Sequence, residues 1–111
     1  RTGLILGTPY YIAPEQAQGG TVDPRTDIYS LGISMYEMFT GRPPYVGADP
    51  VSILLQHVQG KPKPPRQVQP AISPALEAMI LKAMALQPAD RYGSMEELGQ
   101  ALEAAMAAEG A

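Results

Sequence analysis

The sequence predicts a mainly α-helical fold, about four main helices around a buried central helix, with no substantial sheet. Three observations carry this expectation. Residues 27–40, D-I-Y-S-L-G-I-S-M-Y-E-M-F-T, are apolar nearly all the way round at helical spacing, as in a helix wrapped by other elements. Three later stretches repeat apolar residues every three or four positions behind a capping residue. No stretch alternates apolar and polar residues long enough to read as a strand.

Within the central stretch, Ile28, Leu31, Met35 and Phe39 line one face and Tyr29, Ile33 and Tyr36 another, with Met38 between them. Gly32 in its middle costs about 1 kcal/mol of helix stability against alanine, which hints that another backbone comes close. Gly41 suits a left-handed residue past the last turn, and Pro43-Pro44 cannot continue the ladder. Before this helix, residues 1–26 read as an ordered loop broken by Pro9, Pro14, Gly19, Gly20 and Pro24, with one helical turn after Pro14.

After it, Asp49-Pro50 caps a short helix to about Val58, with Val51, Leu54, Leu55 and Val58 as its apolar positions. Residues 60–70 carry Pro62, Pro64, Pro65 and Pro70 and read as an extended polyproline-like connector. Ser73-Pro74 opens a third helix with the stripe Leu76, Met79, Ile80, Ala83 and Met84. Ser94 and Glu97 form a capping box for a fourth, which carries Leu98, Ala101, Leu102, Ala105 and Met106. The single His57 reads as a surface or partly packed imidazole, since no acids cluster with it. The methionines read as core filler.

A chain of 111 residues is one domain at most. A formal charge of −3 with scattered basic residues gives no electrostatic case for nucleic acid or an anionic membrane. Cysteine is absent, which excludes disulfides, thiolate catalysis and cysteine zinc sites. No apolar stretch is long enough to span a bilayer. The chain opens on Arg1-Thr2-Gly3 without an initiator methionine and so reads as a piece of something longer.

The most informative residues are Gly7-Thr8-Pro9-Tyr10-Tyr11-Ile12-Ala13-Pro14-Glu15. Taken alone they are a proline-stiffened loop with a hydroxyl and an acid. With Asp27-Ile28-Tyr29-Ser30-Leu31-Gly32 downstream, then E-M-F-T-G-R-P-P-Y, and Asp90-Arg91-Tyr92 near the end, they resemble the C-terminal lobe of a bacterial eukaryotic-like (Hanks-type) serine/threonine protein kinase catalytic domain. The resemblance runs from about Thr2 to Met106 and implies the helical lower-lobe portion of that fold, with the N-lobe and catalytic loop outside residues 1–111.

The resemblance also implies roles. Thr8 is similar to the threonine that supports the catalytic aspartate, itself absent here. Gly7, Thr8, Pro9, Tyr10, Tyr11 and Ile12 would bind substrate, Pro9 to Ile12 lining the pocket for the residue after the acceptor. Glu15 would pair with Arg91 and tie the activation segment to the lobe. Asp27 would accept backbone N–H bonds from the catalytic loop, and Thr2 sits where an activation-loop phosphosite lies. Read without the family, Thr8 is an ordinary loop hydroxyl, Glu15 and Arg91 are solvated charges, and Asp27 caps the helix.

ATP and magnesium are implied for an intact kinase and none for this chain. Phosphoryl transfer needs a glycine-rich loop, a phosphate-holding lysine, a catalytic aspartate and metal ligands. The chain has no G-x-G-x-x-G, no V-A-I-K, no H-R-D, no D-F-G and no asparagine. The expectation is therefore a kinase parent acting on a protein substrate in the cytoplasm, any membrane anchor lying elsewhere in that parent, and a chain inactive by itself. With an earlier helix and the catalytic loop missing, surface around Ile28, Leu31 and Met35 would lack cover, which implies self-association. The alternatives are a non-catalytic binding or oligomerisation module from a kinase or pseudokinase, and a structural helical domain.

Overall fold

The computed structural model describes residues 11–20 and 23–110. Its helices are α1 (Pro14–Ala17), α2 (Pro24–Thr40), α3 (Pro50–Gln59), α4 (Pro65–Val68), α5 (Pro74–Ala83) and α6 (Met95–Gly110), with a 3-10 turn at Pro88–Asp90. No strand occurs among the described residues.

The helix starts are written locally. Each of α1 to α5 begins on a proline, where the missing N–H is one the first turn could not have used and φ is already helical. Asp23, Asp49 and Ser73 precede three of them and accept from Arg25 N, Ser52 N and Leu76 N at 2.8, 2.9 and 3.1 Å. Gly41 and Gly60 close α2 and α3 in the left-handed region, at φ 91° and 66°.

The core is the α2–α5 crossing extended by α6. Ile28, Tyr29, Ile33 and Tyr36 of α2 are buried with Leu76, Met79, Ile80 and Ala83 of α5, and Leu98 and Ala105 of α6 join them. Gly32 sits at the crossing. A Cβ built there would lie 2.8 Å from Ala83 Cβ and 3.1 Å from Met84 Cγ, so the hydrogen is what lets the helices approach.

Several expectations change. The central helix starts at Pro24, three residues before Asp27, because Asp23 and Thr26 cap each other: Thr26 Oγ1 accepts from Asp23 N at 3.2 Å. Asp27 is exposed inside the first turn and does not cap. Of the three positions expected to lack cover, Leu31 is 39% exposed but Ile28 and Met35 are buried; Met38, which was not expected, is 68% exposed.

On α3 the buried positions are Ile53 and His57, while Val51 and Leu55 are 63% and 56% exposed. Of the stripe read from the sequence, Val51 and Leu55 therefore face away from the packed side, whereas Leu54 and Val58 are half-buried. The connector is extended only through residues 61–64, since Pro65 is buried and starts the turn α4. Ser94 Oγ accepts from Glu97 N at 3.1 Å, but Glu97 Oε1 reaches back to Gly93 N at 2.9 Å, so the box is offset by one residue. Met106 on α6 is exposed, although Leu98 and Ala105 are buried.

Candidate functional site

Arg91 lies in the loop before α6, and its guanidinium is buried. It has five N–H donors, and each is matched by an acceptor. Nε donates to Ala85 O at 2.8 Å; Nη1 donates to Glu15 Oε2 at 2.7 Å and Arg25 O at 3.0 Å; Nη2 donates to Glu15 Oε1 at 2.9 Å and Leu86 O at 3.3 Å. The structure thus brings together two residues 76 positions apart in a bidentate pair. That geometry suits arginine and would not suit lysine. The guanidinium also lies over the Tyr29 ring, 4.7 Å from its centroid.

Glu15 is held from three sides. Thr26, buried at the start of α2, donates its hydroxyl to Glu15 Oε2 at 2.8 Å, and Gly20 N donates to Glu15 O at 2.6 Å. Burial pushes the Glu15 carboxyl upward. The hydrogen bonds from Arg91, the backbone and Thr26, with the charge of Arg91, outweigh it and hold the group below its ordinary 4.5.

The described end of the candidate substrate-binding loop is pinned to α2. Ser30 Oγ donates to Tyr11 O at 2.8 Å, and the Tyr11 hydroxyl donates to Glu37 Oε1. The hydrogen bond to Glu37, then burial, then the charge of Glu37 raise the Tyr11 pKa. Ile12 is buried and Tyr11 half-buried. Thr2, Gly7, Thr8, Pro9 and Tyr10 lie outside the described residues. Asp27 is not brought near the Glu15–Arg91 pair by any hydrogen bond or ion pair between described residues.

His57 corrects the surface reading most clearly, being 0% exposed. Its Nδ1 and the Tyr29 hydroxyl are 2.6 Å apart, and the Tyr45 ring meets the imidazole edge-on at 4.7 Å. Burial raises the Tyr29 and Tyr45 pKa values far beyond the ordinary 10.0, so both phenols stay neutral. Glu15, Arg91, Tyr29, His57 and Tyr45 therefore form one buried series joining α1, the loop before α6, α2 and α3. Sequence reasoning missed Thr26, Glu37 and the Tyr29–His57 contact. The D-P-x-T spacing from Asp23 to Thr26 carried a usable capping signal, whereas nothing local marks Glu37 or His57.

The family profile described as "Protein kinase domain" matches residues 2–102, and the chain belongs to that family. It is 47% identical over 98 residues to serine/threonine-protein kinase PknB of Mycobacterium leprae, covering 88% of this chain and 16% of that protein. It is 42% identical over 106 residues to the probable serine/threonine-protein kinase SCO3848 of Streptomyces coelicolor, covering 96% and 16%. Among solved structures, it is similar to the twitchin kinase region from C. elegans, with a TM-score of 0.75 and 27% identity over 86% of this chain and 16% of that one. The chain thus spans about a sixth of the length of these relatives.

Proposed function

We propose that residues 1–111 supply the substrate-facing loop and helical scaffold of a serine/threonine protein kinase that transfers the γ-phosphoryl of ATP to protein hydroxyls. The observation that carries this reading is the bidentate Glu15–Arg91 pair, which fastens the end of the 7–15 segment to the helical body. On this reading Gly7 to Ile12 contact the acceptor peptide, and Thr8 supports an aspartate supplied by sequence outside this chain. Thr2 is the phosphorylation site, and Asp27, exposed at the start of α2, is free to meet the catalytic loop.

ATP and magnesium belong to the intact enzyme, and the residues present do not fit them. Among the described residues no group of three His, Cys, Asp or Glu could hold a metal ion. The sequence also lacks the asparagine and glycine-rich loop that phosphoryl transfer in this family uses. No step through them is assigned to this chain. Calorimetric titration of the 111-residue chain with magnesium-ATP is expected to give no binding; a micromolar isotherm would overturn the reading. In a full kinase carrying this segment, Thr8→Ala should lower kcat by about a hundredfold or more at unchanged ATP KM.

The protein partner is the kinase substrate, and the cytoplasm, where ATP is, is the location this reading implies. No helix among the described residues is long and apolar enough to cross a membrane. A second reading, a binding or self-associating module without chemistry, is favoured by one feature: Val51 and Leu55, one turn apart on α3, are both exposed. It expects a concentration-dependent mass in light scattering that Val51→Lys with Leu55→Lys abolishes.

A further inference from the structure

The last turn of α2 holds two cation-bearing segments in place. Thr40 Oγ1, whose single proton is shared between Tyr36 O at 2.7 Å and Arg42 O at 2.9 Å, accepts from Arg42 N at 3.4 Å, and the Tyr36 hydroxyl donates to Lys63 O at 2.6 Å. Lys63 is flanked by Pro62 and Pro64 in the extended stretch, so its backbone has little freedom left to lose on binding. Between the two segments lies a cavity of about 230 Å³, lined by Pro44, Val46 and Val68 over the buried Tyr36, with Arg42 and Lys63 exposed beside it.

The charge here runs against the rest of the molecule. Residues 42–66 hold Arg42, Lys61, Lys63 and Arg66 and a single acid, Asp49, in a chain of net −3. Asp49 is occupied with capping α3 through Ser52 N at 2.9 Å. Glu77, the acid that approaches this region from α5, accepts from Arg66 N at 2.9 Å. Arg42 and Lys63 are in no ion pair with another described residue. Two exposed cations on held backbone segments, beside an apolar, proline-walled cavity, match an anion attached to an apolar backbone neighbour, rather than a bare inorganic ion.

We infer that the Arg42–Lys63 cavity is a docking site for an acidic peptide segment of a partner protein, its glutamate or aspartate carboxylate between the two cations and an adjacent proline or aliphatic residue against Pro44, Val46 and Val68. This goes beyond the kinase reading and stands or falls separately from it. The site lies at the opposite end of α2 from the Glu15–Arg91 pair, which is anchored at Arg25 and Thr26.

The test is fluorescence anisotropy on the 111-residue chain. The probe is a labelled hexapeptide with two glutamates after an isoleucine–proline pair, compared with its glutamine and phosphoserine counterparts. The glutamate peptide is expected to bind saturably, about tenfold tighter than the glutamine peptide, and to weaken steeply as salt rises from about 50 to about 300 mM and the Debye length shortens. R42A/K63A should lose about tenfold, K82A should bind like the parent, and R42E/K63E should turn the preference to a lysine peptide. Both positions are exposed, so the variants should keep the parent's circular dichroism. Equal affinity for glutamate and glutamine peptides, or an R42A/K63A affinity equal to the parent's, overturns the site. Binding of the phosphoserine peptide alone overturns the carboxylate as its ligand.

Discussion

At the scale of single residues, the energetics concentrate on Arg91. Five N–H groups and five acceptors leave no spare bond, so removing either member of the pair strands a polar group in the interior. Glu15→Ala and Arg91→Ala are each expected to cost about 3–5 kcal/mol in chemical denaturation, and the double mutant much less than their sum. The sign of the pH effect follows from the carboxyl being held below 4.5 in the folded state. Its contribution is complete above that value and is lost as pH falls through the lower, folded pKa. Glu15→Gln should therefore flatten the acid limb of the stability profile below about pH 4.5. On the far side of Tyr29, replacing the phenol by phenylalanine takes the hydroxyl from His57 Nδ1. Tyr29→Phe is expected to cost about 1–2 kcal/mol with the fold unchanged, read from urea midpoints.

Among the elements, α2 is the strut and Gly32 decides how closely α5 approaches it. A methyl group at Gly32 would improve intrinsic helix propensity by about 1 kcal/mol. It would also press on Ala83 Cβ at 2.8 Å, a rigid neighbour that cannot swing aside. The clash wins, and Gly32→Ala should destabilise by about 1–3 kcal/mol net, with a lower thermal midpoint as the readout. The helix boundaries were largely legible, because Asp49-Pro50, Ser73-Pro74, Pro14 and Gly41 act through their own backbone. The face that α3 buries was not. Val51 and Leu55 look like a core stripe by hydropathy, yet the side that meets Tyr29 and Tyr45 presents Ile53 and His57. Hydropathy ranks histidine as polar and cannot register a phenol waiting for its ring nitrogen.

For the whole molecule, the helices form a body whose buried series runs from α1 through Arg91 and Tyr29 to α3. The segment that would face a substrate and the helix with the exposed apolar side are thereby braced on the same residues. If that bracing transmits, Glu15→Ala should raise hydrogen exchange at the α3 amides as well as around α1, while Gly32→Ala should raise it chiefly along α2 and α5. Protection of α3 unchanged in Glu15→Ala would show that the two ends are independent.

By itself the sequence determined the helical class, most of the capping and terminating positions and the motifs that carry the kinase resemblance. Those depend on local backbone preferences and on short motifs, which are complete within a few residues. Tertiary structure alone decided which side of α3 is buried, that His57 belongs to the core, and that Arg42 and Lys63 share a cavity. Each of these depends on a partner from a distant part of the chain, and burial is a property of the pair and not of either residue.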